Sequence, residues 1–418
     1  MKDFEKVYKC LLCDGGLTNV HNFGKTPLAN EFSEYGSYLE SDLFDLRLTH
    51  CRACRNVQLD TIVNQERLFK DYLYVSSTSP VNQKHFNDYA LSLIQDDLIG
   101  IKKTTDYVCD IGSNDGLFLK TFKDHGFDIV GVDPAVNIAE KATRSGIPTL
   151  AEFFTVDVAK KIVNSKKYKC GLITANNIFA HTRDLGGVIT SVLELIKDDG
   201  VFIFENSYLL DMLDKNILDI QYHEHIYTHS IYPMAKFLRK FGLKIFRVNR
   251  IPNQGGSIRV FCCKNSSNRK IESSVFKCLE LEKNIDVKLK DFSRKIDALK
   301  DKVSLALNKY QTVDIYGYPA KTTTLLYGLE LTKRGFRKVY DDAELKQGKF
   351  TPGLNLQVLH PDDLYNDPPE LLFIGGWNFA KSIVAKHKSY IINGGTVLIP
   401  LPELQIVNKS NINEYLSK

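Results

Sequence analysis

Tyr107-Val108-Cys109-Asp110-Ile111-Gly112-Ser113-Asn114-Asp115-Gly116, followed by Leu117-Phe118-Leu119-Lys120-Thr121-Phe122, decides the fold of this chain. A short apolar run that ends in a Gly- and Asx-rich turn and passes into a helix-like segment reads as buried strand, tight turn and helix. That is the unit from which parallel sheets are built. The next strand, Ile129-Val130-Gly131-Val132-Asp133, ends on a carboxylate at the interval suited to ribose hydroxyls. Further strands are expected at 171–175, 201–204 and 243–246, with 258–261 closing the sheet.

The turn lacks the full G-x-G-x-x-G that receives a dinucleotide pyrophosphate. Its polar side chains suit a ligand with an amino acid end, and S-adenosylmethionine is such a ligand. Asp110, Gly112, Asn114 and Gly116 would surround its ammonium and carboxylate, the glycines allowing close backbone approach. Asp133 would take the ribose, and Phe153, between Glu152 and Phe154, would flank the adenine. Asn176 and Asn177 follow the strand at 171–175, and His181 comes shortly after. They lie at the carboxyl edge where open α/β sheets bind ligands. Asn176 is assigned to the cofactor and Asn177 to the substrate.

Outward toward the N-terminus, Cys10 and Cys13 form one C-x-x-C, and Cys51 and Cys54 another. Each two-residue gap lets a tight turn aim both sulfurs at one ion, so the four predict a tetrahedral zinc site. With all four positions filled by thiolates, the zinc is structural. A redox role ranks below it, because neither pair opens a helix after a strand. The piece at 44–48 reads as part of a hairpin platform. The other five of the nine cysteines sit in apolar stretches and read as core residues.

Outward toward the C-terminus, Ile285, Leu289, Phe292, Ile296, Leu299 and Val303 alternate in steps of four and three, the stripe of one helix. Val313-Asp314-Ile315-Tyr316-Gly317 then begins a second strand-turn-helix unit, with Tyr318 to Lys321 in the turn. Strands at 338–342, 371–374 and 396–399 continue it. At 418 residues the chain exceeds a single core, and three units are expected: 1–72, a zinc-binding module; 73–266, a Rossmann-like α/β domain; and 267–418, the long helix with a C-terminal Rossmann-like α/β domain. A net charge of +5 from 55 basic and 50 acidic residues, with no basic block, argues against nucleic acid. The absence of a bilayer-length apolar run argues against a membrane, and the charged N-terminus argues against a signal peptide. Both point to a cytoplasmic protein.

The densest reactive cluster is Gln221-Tyr222-His223-Glu224-His225, with Tyr227 and His229 behind it. Removing a proton from carbon beside a carbonyl needs a base and a donor for the enolate oxygen. Histidine suits the first role near neutral pH, and tyrosine or a second histidine the other. A metal site is the competing reading, since His225 and His229 have i, i+4 spacing. It ranks lower because the run is H-E-H rather than H-E-x-x-H.

Taken together, these residues resemble the sugar C-methyltransferases of deoxysugar and branched-sugar biosynthesis, over nearly the whole chain. The resemblance rests on the paired C-x-x-C, the Tyr-Xaa-Tyr-Xaa-Ser-Ser at 72–77, the turn from Asp110 to Gly116 and Gly131-Val132-Asp133-Pro134. It continues through Asn176 to His181, Tyr222-His223-Glu224-His225, Gly255-Gly256-Ser257-Ile258-Arg259 and Lys346-Gln347-Gly348. It implies a zinc module, a central S-adenosylmethionine methyltransferase domain and a C-terminal Rossmann-like domain. It also implies methylation at C3 of a nucleotide-linked 4-keto hexose. By the same resemblance His225 is the base, Tyr222, Glu224 and His181 assist, and Tyr74 lies near the substrate. Lys321 would contact the diphosphate, although Thr322 stands where the family has glycine, a departure that restricts the backbone. Two rival readings are a nicotinamide-dependent oxidoreductase, disfavoured by the missing G-x-G-x-x-G, and a zinc-containing scaffold without activity.

Overall fold

Buried along its whole length, the run Tyr107–Ile111 is an interior strand, third from one edge of a seven-stranded sheet. The computed structural model describes residues 3–34, 36, 43–69, 77 and 80–417. On one side this strand pairs in parallel with Asp128–Val132, which in turn pairs with Thr149–Leu150. On the other lie Cys170–Asn176 and then Ile196–Ser207, also parallel. The helices Leu117–Asp124, Val136–Arg144, Val156–Ser165 and Leu185–Leu195 make the crossovers.

The last two strands depart from the expected order. Ser257–Lys264 runs antiparallel to both Ile196–Ser207 and Leu243–Ile251, so it lies one strand in from the edge rather than closing the sheet. The short link through Gly255 and Gly256 permits only an antiparallel return after Leu243–Ile251, because a parallel return needs a long crossover. Numbered along the chain, the order is 3-2-1-4-5-7-6. The order reverses between Tyr107–Ile111 and Cys170–Asn176, which places a crevice at their carboxyl ends.

The N-terminal module carries Leu17–Thr26, Phe44–Cys51 and Val57–Leu59 in one antiparallel sheet. Its fourth strand, Tyr227–Thr228, comes from the histidine-rich segment far along the chain. The helical stripe at 285–303 forms the helix Ile285–Leu307, with all six of its apolar positions buried. Its polar side is not wholly solvated. Asp286 meets His50 and Arg55 of the zinc module, and Ser293 meets His21 at 2.9 Å.

The C-terminal sheet has six strands in the order Val358–Leu359, Val339–Tyr340, Val313–Tyr316, Leu371–Ile374, Thr396–Ile399, Gln405–Val407, all parallel except the last. Helix Ala320–Gly328 begins early enough that Lys321 lies in its first turn, not in the loop before it. Thr322 is buried there, its hydroxyl 3.4 Å from the carbonyl of Gly317, so a β-branched residue sits in helical backbone at this position. Among the described residues no helix is long and apolar enough to cross a membrane.

Candidate active site

In the zinc module the carbonyl of Cys10 accepts from the amides of Cys13 and Asp14, and that of Cys51 from the amide of Arg55. Asp14 and Arg55 adopt left-handed backbone, φ 59° and 64°, which completes both turns. The four sulfurs lie within 4.8 Å of one another, with Cys10–Cys54 and Cys13–Cys51 each at 3.5 Å. A four-thiolate zinc site with Zn–S of about 2.3 Å has tetrahedral edges of about 3.8 Å, so the side chains fit the ion closely. A Cβ at Gly15 would come within 2.9 Å of the Cys51 sulfur, so this turn needs glycine. Among the described residues no other group of three or more His, Cys, Asp or Glu converges in this way, and His225 and His229 do not share a helix.

A cavity of about 590 Å³ opens at the switch point of the seven-stranded sheet. Asp110, Gly112, Asn114, Asp133, Phe153, Asn176 and Asn177 all line it, whereas Gly116 does not. Asp133 is buried; its two oxygens accept from the amides of Asn114 and Ala135 at 2.9 and 3.0 Å, each keeping a lone pair for another donor. Asp110 is also buried and accepts from the Thr174 hydroxyl at 2.5 Å and the Asn176 amide at 3.3 Å. Burial raises its pKa to about 7, a shift that Thr174 opposes and the nearby Asp133 carboxylate reinforces. No cationic side chain among the described residues pairs with it, and the side-chain oxygen of Asn176 is buried without a partner. An uncompensated carboxylate and an orphaned acceptor fit a ligand that brings an ammonium.

The glycines serve packing as well as ligand access. Gly112 has φ +69°, and a Cβ there would lie 2.2 Å from Ile178; at Gly116 it would meet Ile147 at 2.8 Å.

His181 forms part of the cavity wall and His225 stands beside it, ring centroids 4.9 Å apart. The ring of Tyr222 lies 4.1 Å from that of His225. His225 Nδ1 is 2.6 Å from the carbonyl of Ile220, which only accepts, so Nδ1 carries the proton and Nε2 presents its lone pair. Burial, then the neighbouring His181, hold the pKa of His225 well below that of free imidazole, and burial lowers His181 to about 4. Both rings are therefore neutral at physiological pH. Their neighbours in sequence turn away. His223 Nε2 donates to the carbonyl of Asp45 at 3.2 Å, and Glu224 accepts from the Asn30 amide at 2.6 Å, both toward the zinc module. Tyr74 lies outside the described residues.

The C-terminal domain closes over this segment. The Thr324 hydroxyl donates to the carbonyl of Gln221 at 2.6 Å, and Trp377 Nε1 to Asp219 at 2.5 Å. Lys321 is buried above the Trp377 ring, 5.8 Å from its centroid. Burial lowers its pKa and the charge of Asp219 opposes the shift. Lys321 and Trp377 stand where the order of the six-stranded sheet reverses. Asp341 repeats the geometry of Asp133, its two oxygens accepting from the amides of Tyr318 and Ala343, but here the Lys346 ammonium lies 3.4 Å away.

Sequence reasoning missed one buried cluster. Glu205 accepts from Arg259 at 2.8 Å and meets His85 at 3.0 Å, while the Arg259 guanidinium lies 3.1 Å over the ring of Tyr89. The available signal was an acidic residue directly after the apolar strand run 201–204.

Three family models match the chain in series: a zinc binding domain over 10–69, a methyltransferase domain over 83–248, and a C-methyltransferase C-terminal domain over 252–402. The C-methyltransferase NovU of Streptomyces niveus is 29% identical over 413 residues, covering 96% of this chain and 97% of that one. Along nearly its whole length the chain is similar to a C-methyltransferase. It is an S-adenosylmethionine-dependent enzyme with a zinc-binding module. Among solved structures it resembles the magnesium protoporphyrin IX methyltransferase of Synechocystis PCC 6803 with bound S-adenosylmethionine (13% identity, 48% of this chain, 88% of that one, TM-score 0.33). It also resembles an S-adenosylmethionine-dependent methyltransferase from Clostridium acetobutylicum ATCC 824 (13%, 44%, 92%, 0.34). Both likenesses are slight.

Proposed function

We propose that this C-methyltransferase methylates C3 of a nucleotide-linked 4-keto hexose, with His225 as the base. The observation that carries the proposal is a neutral imidazole whose Nε2 lone pair is held in place by the Nδ1 bond to Ile220, beside His181 on the wall of the cofactor cavity. His225 takes the C3 proton; the electron pair moves to the C4 oxygen, where the hydroxyl of Tyr222 or an N–H of His181 donates to it. Burial disfavours the imidazolium so formed, and the enolate beside it offsets that penalty in a site of low dielectric. S-adenosylmethionine, when bound, supplies the electrophilic methyl group that the C3 carbanion attacks.

Asp133 holds the ribose, Asp110 and Asn176 the amino acid end, and Phe153 the adenine. Asn177 touches the sugar, and Lys321, at the switch point of the C-terminal sheet, takes the diphosphate. Glu224 anchors the catalytic segment through Asn30. The substrate class is supported by the resemblance to sugar C-methyltransferases through Tyr222-His223-Glu224-His225 and the motifs around it. A cytoplasmic location agrees with a cluster of four thiols kept for metal.

The test is incubation with S-adenosylmethionine and a panel of nucleotide-linked 4-keto hexoses, read by mass spectrometry and carbon NMR. The expected product has gained one methyl group on C3. Methylation on oxygen, or no product with any member of the panel, refutes the proposal.

A further inference from the structure

The segment 221–229 has almost no regular structure of its own: a turn in which the amide of His225 reaches the carbonyl of Tyr222, then a two-residue strand. Its position is set by its neighbours, the zinc module among them. Tyr227 pairs with Gln58 and Thr228 with Val57, and the amide of Leu59 donates to the carbonyl of Ile226 at 2.8 Å. The amide of Tyr227 in turn donates to the carbonyl of Ala180, the residue before His181, and its hydroxyl to the carbonyl of Arg183. A second arm of the module, Gln65, donates to the carbonyl of His181 itself at 2.8 Å. The zinc module thus touches the segments of both imidazoles.

The side chain of Gln58 links that strand pairing to the turn that carries two of the metal ligands. Gln58 is fully buried, and its carbonyl oxygen accepts from the amide of Leu11, inside the Cys10–Cys13 turn, at 2.8 Å and from Asn56 at 3.1 Å. Asn56 also reaches the sulfur of Cys10 at 3.6 Å. We infer that the zinc module positions the two catalytic imidazoles, and that Gln58 is the positioning residue that carries the geometry of the metal site to His225 and His181. The ion fixes the Cys10–Cys13 turn and hence the direction of the Leu11 amide. Gln58 reads that direction, and its own backbone is the strand against which Tyr227 is laid. On this account zinc acts on the chemistry without touching the substrate.

The experiment compares the full zinc-loaded chain with Gln58→Met, which keeps the shape and loses the acceptor, and with Gln58→Glu. A carboxyl buried beside thiolates stays protonated and so keeps an acceptor oxygen. Three quantities are read: affinity for S-adenosylmethionine, deuterium uptake of 180–183 and 221–229, and kcat on the keto sugar. Only kcat rests on the proposed reaction, so failure of that reaction leaves the exchange result standing.

In Gln58→Met the two segments should lose protection while zinc content and cofactor affinity hold. The kcat should fall by roughly 10–100-fold, as a misplacement on the order of 1 Å produces, and Gln58→Glu should recover most of it. Protection at 180–183 and 221–229 that is unchanged, or lost only together with cofactor binding, overturns the inference.

Discussion

Replacing Asp110 by Asn separates the cost of a buried charge from its use. The folded protein raises this carboxyl from 3.8 to about 7, chiefly by burial. The ionised form is thus penalised in the fold: the penalty is absent below about pH 4, grows as pH rises, and is complete above about pH 7. A difference of about three pKa units at about 1.4 kcal/mol each sets an upper figure of roughly 4 kcal/mol. Asp110→Asn removes the charge and keeps an oxygen for Thr174 and Asn176. The ligand-free variant should therefore be more stable than wild type at pH 8, by an amount that shrinks as pH falls through 7. On the proposed assignment of Asp110 to the amino acid end of the cofactor, the same change removes the counter-charge of its ammonium, so affinity for S-adenosylmethionine at pH 8 should drop by about 1.5–3 kcal/mol, the range for hydrogen bonds to charged groups. Urea unfolding at pH 5 and pH 8, with calorimetric titration of the cofactor at pH 8, measures both. A variant that gains no stability at pH 8, or that binds the cofactor as tightly as wild type, refutes the reasoning.

Three further outcomes are expected. Purified protein should hold about one zinc per chain by elemental analysis, and Cys51→Ser should lower both zinc content and melting temperature; a metal-free protein, or disulfides among these cysteines, contradicts the site. Asp133→Ala should weaken S-adenosylmethionine by about 1.5–3 kcal/mol. Because it strands the amides of Asn114 and Ala135, it should also lower stability by about 1–2 kcal/mol, with unchanged affinity the result that excludes a ribose role. Gly112→Ala should destabilise by about 1–3 kcal/mol, since the new methyl meets Ile178 and the backbone there is left-handed; a neutral effect in thermal melts shows that the loop yields instead.

Much of the fold is legible because its elements carry local signals: short, largely apolar runs that begin at Tyr107 and Ile129, an i, i+3, i+4 stripe on Ile285–Leu307, and two C-x-x-C pairs whose spacing alone predicts convergence. What was illegible is pairing between distant segments. Nothing local to Tyr227 and Thr228 says that they complete the sheet of the zinc module, or that Ser257–Lys264 inserts between two earlier strands. The cavity at the switch point follows from strand ends, which the sequence marks with Asp110, Asp133 and Asn176.

The histidine-rich run misleads in one respect. Adjacency in sequence suggests one cluster, yet a turn keeps the rings of Tyr222 and His225 together, with His225 beside His181, and sends His223 and Glu224 toward Asp45 and Asn30. Gln58 escaped notice altogether, since a glutamine in a short strand carries no signal until the residues beside it are known.

The central claim is that His225 removes the C3 proton before methyl transfer, and it is tested most directly by solvent exchange without methyl donor. The keto sugar is incubated with enzyme in heavy water, and loss of the C3 proton signal is followed by NMR. Wild type should exchange that proton, and His225→Ala should slow exchange by about 10²–10⁴-fold, the range for general-base catalysis, with S-adenosylmethionine affinity intact. Exchange that continues undiminished in His225→Ala contradicts the account.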